Sequence, residues 1–373
     1  MVIYVSPAES NGGILQFSVA LTKETAAITQ CMLFLPDTVN EKHFSDIKEN
    51  VIRYRKIKTL NSKNIKIYNI AKQILDLSPE IVIFAEDSIL MQQLCRVISK
   101  NGVKTAMTVH DIHHHPYRKM GFRSIAVDVI RRIMTKRTVK VCSKIILLSK
   151  NSEKAFRNEY KVNNTVVFRL PAHVPLVQPE QVGELPADYK NYFLFFGRID
   201  EYKGIGRLCR AYSHLPEHCK EKNELVIAGN GTLSEEEIAL IRADKHIRLI
   251  NRFITDGEMI WLFINSQAVV LPYIEASQSG VLPIAYKYNK PVVVSDLEGL
   301  TENVEDGKTG YVFSTEDDLT AILLNINNTK NMDSEIADYY AKNYIWKYGI
   351  EKLLSDIEAN TKTGEPHERK TKW

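Results

Sequence analysis

Two successive series of short apolar, β-branched runs, each alternating with segments of helical period, constrain the fold of this chain more than any other feature. The first series comprises residues 2–5, 31–35, 81–85, 105–109, 144–148 and 165–168; the second comprises 192–196, 224–228, 247–250, 268–271 and 291–294. Between them, residues 170–190 contain Pro171, Pro175, Pro179 and Pro186 with no sustained period, which predicts a linker. A chain of 373 residues also exceeds what one hydrophobic core usually supports. The expected class is therefore α/β, with two Rossmann-like, doubly wound domains at 1–185 and 186–345 facing a central cleft. Residues 346–373 are expected to add a C-terminal helix, folded back on the first domain, and a polar tail that frays from Asn360 onward.

The five cysteines are scattered and never spaced as C-x-x-C, so neither a disulfide framework nor a zinc knuckle is suggested, and a reducing cytosol fits. The apolar start Met-Val-Ile-Tyr-Val is too short for a signal peptide, and no stretch approaches the roughly 20 apolar residues of a membrane span. The expected place is cytoplasmic, with any membrane contact made peripherally, on the inner face of the cell membrane.

Ligands of open α/β sheets bind beyond the carboxyl ends of the strands, so chemistry should sit in the loops that follow them. The segment Phe196-Gly197-Arg198-Ile199-Asp200-Glu201-Tyr202-Lys203-Gly204 is such a loop. Arg198 offers a forked cation and Lys203 a point-like one, while the glycines let backbone approach a diphosphate. Read as a mere solvated pair, these cations would oppose the dipole of the helix they open. A second loop runs Pro272-Tyr273-Ile274-Glu275-Ala276-Ser277-Gln278-Ser279-Gly280-Val281. Here the amides around Gln278, Ser279, Gly280 and Val281 suit a phosphate or sugar oxygen, and Glu275 suits sugar hydroxyls. A capped helix start with an exposed Glu is the plainer reading.

In the first half, Asn11-Gly12-Gly13-Ile14 and Thr108-Val109-His110-Asp111 each follow a strand. A histidine at such a strand end can donate a hydrogen bond or stabilise developing charge, and an aspartate beside it can orient the loop. The run His113-His114-His115 admits a transition-metal site, but consecutive histidines on an irregular loop rarely converge on one ion, and no metal is expected. Ser149-Lys150 reads equally well as a helix N-cap.

With Lys290-Pro291-Val292-Val293 and Asp306-Gly307-Lys308-Thr309-Gly310, these segments resemble the family-4 retaining glycosyltransferases of the GT-B fold, including those of bacterial polysaccharide and lipopolysaccharide assembly. The likeness covers the second domain, with four motifs in order; the first domain matches through the Gly13 loop, the His110-Asp111 element and Ser149-Lys150. It implies a metal-independent hexosyl transfer from a UDP- or GDP-linked sugar, with retention, to a saccharide or polyprenyl-linked glycan. It implies that Arg198 and Lys203 hold the donor diphosphate, that Gly13 lies near it, that Glu275 contacts the donor sugar or its phosphate, that His110 acts catalytically at the donor sugar with Asp111 orienting the loop or the acceptor, and that Glu302 touches the nucleotide. Pro283 stands where the family has a second Glu that holds ribose.

Positive charge gathers between Tyr117 and Lys144, where Arg123, Arg131, Arg132, Lys136 and Arg137 are among nine cations set against the single acid Asp128. Apolar residues interleave at helical spacing, which suits either an anionic membrane surface or a helix packed on its domain with a solvated basic face. Nucleic acid is not expected, because stacking aromatics are few there. Two other functions compete: a sugar-nucleotide 2-epimerase, disfavoured by the few first-domain carboxylates besides Glu9 and Asp111, and a catalytically silent carbohydrate-binding protein.

Overall fold

The computed structural model describes residues 1–7, 13–56, 65–110, 122–169, 171–172, 177–276, 278–326 and 331–359, with the side chains of 65 and 122–128 outside that description. Glu9, Gly12, Asp111, the three consecutive histidines and Ser277 therefore lie outside the described residues, as does the side chain of Arg123. The chain forms two compact units, one from Met1–Phe168 with the C-terminal helix, the other from Arg169–Ile345.

The first unit holds strands β1 (Val2–Val5), β2 (Cys31–Pro36), β3 (Val51–Tyr54), β4 (Ile81–Phe84), β5 (Lys104–Val109), β6 (Lys144–Leu147) and β7 (Thr165–Val167). Helices α1 (Gly13–Ala26), α2 (Ile65–Asp76), α3 (Ile89–Lys100), α4 (Phe122–Thr138) and α5 (Lys150–Tyr160) connect them. All pairings are parallel, in the order β3-β2-β1-β4-β5-β6-β7. The runs Val-Ile-Tyr-Val of β1 and Ile-Val-Ile-Phe of β4 are buried throughout, as central strands covered on both faces must be.

The second unit repeats the plan with β8 (Tyr192–Phe196), β9 (Leu225–Gly229), β10 (Ile247–Asn251), β11 (Ser266–Leu271), β12 (Val292–Ser295) and β13 (Gly310–Phe313). Its helices are α6 (Ile205–Ser213), α7 (Glu217–Lys220), α8 (Glu235–Ala243), α9 (Asp256–Asn265), α10 (Val281–Lys287), α11 (Glu298–Thr301), α12 (Glu316–Asn325) and α13 (Asp333–Asn343). The strand order is β10-β9-β8-β11-β12-β13, again all parallel. Thr255 and Glu258 close a capping box at α9, and Thr315 and Asp318 close another at α12, so these helix starts are written locally.

Strands β3 and β13 are absent from the expected series. Both are short edge strands, and neither carries the long apolar run that a central strand needs. The division between units falls after Phe168 rather than near residue 185. Ala172, Val182 and Leu185 belong to the second core, and Glu180 N–H donates to Gly257 O at 3.0 Å. Residues 177–190 are thus a strap laid on the second unit and anchored there by Val182 and Leu185. The last helix, α14 (Trp346–Ala359), packs on α1 and β5 in the first unit and buries Ile350, Leu353 and Ile357. Its Trp346 ring lies 6.3 Å from both Phe17 and Phe168.

The strand order reverses between β1 and β4 in one sheet and between β8 and β11 in the other. Crevices open at the carboxyl ends of strands on either side of such a reversal. The loops after these four strands are therefore the places to look.

Candidate active site

In the second unit, the loop after β8 is built around glycines that admit backbone where no side chain fits. Gly204 has φ +68° and ends the short 3-10 turn Glu201–Lys203, and a Cβ there would sit 2.0 Å from Pro272 O. Ile274 N–H donates to Tyr202 O at 2.8 Å, so the loops after β8 and β11 are stitched together. A Cβ on Gly197 would meet Val281 Cγ2 at 3.8 Å, placing this loop against the first residue of α10. The sequence elements carrying Arg198, Lys203 and Ser279–Val281 are thus neighbours.

A third loop, missed in the sequence reading, supports them. Gly229-Asn230-Gly231 follows β9; Cβ atoms on the two glycines would lie 1.8 Å from Gly197 O and Ile199 O, and Ile199 N–H donates to Asn230 O at 3.0 Å. The Asn251 side chain clasps Gly231 through both its N–H and its carbonyl, at 3.1 and 3.2 Å. A Gly-x-Gly directly after an apolar run was the available signal.

Lys203 is the electrostatically unusual residue. Its Nζ stands 3.6 Å from the centre of the buried Tyr273 ring and 5.0 Å from that of Tyr202. Burial pulls its pKa down to about 7, the nearby Arg198 charge adds to the effect, and Asp200 opposes it. A desolvated amine beside a second cation is a site that an anion would stabilise. Arg198 itself is exposed, and among the described residues no hydrogen bond or ion pair engages it.

Glu275, Gln278 and Ser279 are half-buried in the loop after β11, and Gly280 is exposed. Ser279 Oγ accepts from Val281 N–H at 3.3 Å and lies 3.4 Å from Tyr273 Oη. One amide expected to face a ligand is thus engaged by its own loop. Glu302 is half-buried just after α11, beyond the carboxyl end of β12. Pro283 is buried in the first turn of α10, where its missing N–H costs no helical hydrogen bond. It packs the core.

In the first unit, α1 opens at Gly13, beyond the carboxyl end of β1. His110 follows β5, with its ring edge-on to Phe17 at 6.0 Å between centres. Its Nε2 is 2.8 Å from Ala85 O. A carbonyl only accepts, so Nε2 carries the hydrogen, and in the neutral ring Nδ1 is left as an acceptor. Neutral His110 would therefore receive a bond from a sugar hydroxyl; the expected donation requires the protonated ring.

Glu86 and Asp87, after β4, are first-unit carboxylates that the sequence reading passed over. Burial raises the pKa of both, with Asp87 adding to the rise at Glu86 while Ser88 and His110 oppose it. Asp87 Oδ2 accepts from Arg131 Nη1 at 2.7 Å in a largely buried pair. Two acids at the end of an apolar run were the signal, hidden by the absence of any glycine or histidine beside them. Ser149 accepts from Ser152 N–H at 3.0 Å and caps α5, as an ordinary N-cap would.

The basic segment divides. Arg131 is pinned under α4 by Asp87 in a largely buried pair and so leaves the solvated face, whereas Arg132, 3.6 Å from Glu159, keeps a partly exposed side chain. Lys136 and Arg137 are exposed, and so are the apolar Val129, Ile130 and Ile133 one and two turns before them. Among the described residues, no helix is long and apolar enough to cross a membrane.

Gly204→Ala is expected to lower the stability of the second unit by at least about 2 kcal/mol, because it adds left-handed strain to the Pro272 clash. Urea unfolding would show it as a lower midpoint at unchanged slope.

Residues 190–328 match the family of glycosyl transferases group 1. An uncharacterized glycosyltransferase of Methanocaldococcus jannaschii is 25% identical over 356 residues, covering 87% of this chain and 89% of that one. The structure of Anabaena HepE in complex with UDP superposes with a TM-score of 0.72 at 13% identity, covering 96% of this chain and 99% of that one. The lipopolysaccharide outer core galactosyltransferase WaaB, in its apo form, superposes with a TM-score of 0.69 at 15% identity and the same coverage, 96% and 99%.

Proposed function

We propose that this chain, a glycosyltransferase of the GT-B fold, moves a hexosyl group with retention from a UDP- or GDP-linked donor to a saccharide or polyprenyl-linked glycan in cell-surface polysaccharide, lipopolysaccharide or glycolipid synthesis. The observation that carries the donor assignment is Lys203, a desolvated amine beside Arg198 where the second sheet reverses its strand order. These two cations meet the charge of the leaving diphosphate without a metal. Glu275, Gln278 and His110 serve the donor sugar, Glu302 lies toward the nucleotide, and Asp111 with the half-buried carboxylate Glu86 serves the acceptor side.

The test is nucleoside diphosphate release from a panel of UDP- and GDP-sugars with saccharide acceptors. Release that depends on acceptor supports transfer. An isomerised donor would point to epimerisation, and silence across the panel to a binding protein.

The exposed face of α4 supports a peripheral place on an anionic membrane, with Val129, Ile130 and Ile133 entering the interface and Lys136 and Arg137 meeting lipid phosphates. At about 1 kcal/mol per cation, Lys136→Gln with Arg137→Gln should weaken binding to phosphatidylglycerol vesicles about thirtyfold. Unchanged co-sedimentation of the double variant would remove the membrane from the account.

A further inference from the structure

The amino ends of the second sheet, roughly 17 Å of strand away from the donor loops, carry a feature that donor binding does not use. A cavity of about 390 Å³ lies beneath the starts of β11, β12 and β13, and a second of about 500 Å³ adjoins it. Asn191 and Gln267 line both, so the two form one trough. Each volume is within the roughly 300–1,000 Å³ of small-molecule clefts. No residue of the Arg198, Lys203 or Glu275 loops lines either.

The lining chemistry is narrow. Carboxamides are the commonest lining group, seven of the twenty residues, and several are already engaged: Asn265 donates to Trp261 O and Asn325 to Ala321 O, both at 2.9 Å. The side-chain amides of Asn191, Gln267 and Asn289 have no such bond among the described residues. An amide both donates and accepts, which is what a vicinal pair of sugar hydroxyls requires. Tyr311, half-buried at the start of β13, adds an aromatic ring for the apolar face of a pyranose.

The charge is one-sided. Among the described residues, Lys190 and Lys290 line the first cavity with Asp333 as its one carboxylate, and Lys222 lines the second with none. Lys290 is partly buried, and that burial lowers its pKa, with only Asp333 opposing. Its ammonium would be stabilised by an incoming anion.

We propose that this trough is a second carbohydrate site, which binds an anionic oligosaccharide at the edge of the sheet opposite the donor loops. The proposal stands apart from the donor assignment, since no residue is shared. Amide signals followed by NMR during titration of the full chain with tetragalacturonate should shift at Asn191, Gln267 and Lys290. Lys290→Ala and Gln267→Ala should each weaken that binding at least tenfold while UDP binding is unchanged, and Lys203→Ala should do the reverse. Added salt should weaken it further, and maltotetraose should bind at least tenfold less tightly. The proposal is overturned by absent shifts at these residues, by shifts confined to the donor loops, by equal binding of maltotetraose, or by variants that retain full affinity.

Discussion

Lys203→Ala is expected to lower kcat/KM for the donor by about 10²–10³, the usual loss when one preorganised charge facing a departing group is removed. The side chain is not required by the core, and truncation relieves its desolvation, so thermal stability should hold or rise. A pH dependence should accompany it. With a free-state pKa of about 7, Lys203 is largely neutral above that pH, whereas an amine paired with diphosphate is charged. Donor binding therefore takes up a proton above pH 7, and affinity falls by up to tenfold per pH unit as pH rises through 7 toward the higher pKa of the complex. For stability of the free protein the sign is opposite. The unfolded chain holds this proton up to about 10.5 and the folded one only to about 7, so this residue's contribution grows more favourable as pH rises between them. Calorimetry in buffers of different ionisation enthalpy counts the proton directly. Lys203→Arg should retain binding with the linkage removed; a flat affinity profile for the wild type between pH 6 and 9 would refute the account.

Lys220→Met is expected to be the most damaging single change to stability, at about 3–5 kcal/mol. Lys220 Nζ lies 2.7 Å from Asp244 and donates to Ser213 O at 2.9 Å, with the two charged side chains only 10% and 11% exposed. Removing the cation leaves an enclosed carboxylate with, among the described residues, only the His246 N–H, at 3.0 Å, to meet its charge. Measured by thermal unfolding, that loss corresponds to a fall in Tm of roughly 6–20 °C for a unit of this size. The double variant Lys220→Met with Asp244→Leu should recover most of it, because the stranded charge is gone. A single variant as stable as the wild type would show that water reaches Asp244.

Much of the candidate site was legible in the sequence because its parts are local. Gly197-Arg198 and Lys203-Gly204 sit on one loop after one apolar run, and the loop after β11 likewise declares itself between a strand and a helix. Glu86 and Asp87 were not legible in that way. Their importance rests on lying beside His110 and Arg131, which arrive from β5 and α4. The same contact removed Arg131 from the basic face on which helical spacing alone had placed it. The Gly229-Asn230-Gly231 turn was overlooked because a Gly-x-Gly is common, and its role appears only when Gly197 O and Ile199 O are found against it.

The sequence by itself determined that the chain makes two parallel α/β sheets and which loops follow their strands. Those properties follow from the period of apolar residues and from capping residues a few positions away. Only the tertiary structure decided the strand orders, the strap that moved the boundary between units, and the low pKa of Lys203. Each of these depends on which distant segments share an interior. Pairing and desolvation there are set by neighbours in space, and no window along the chain contains them.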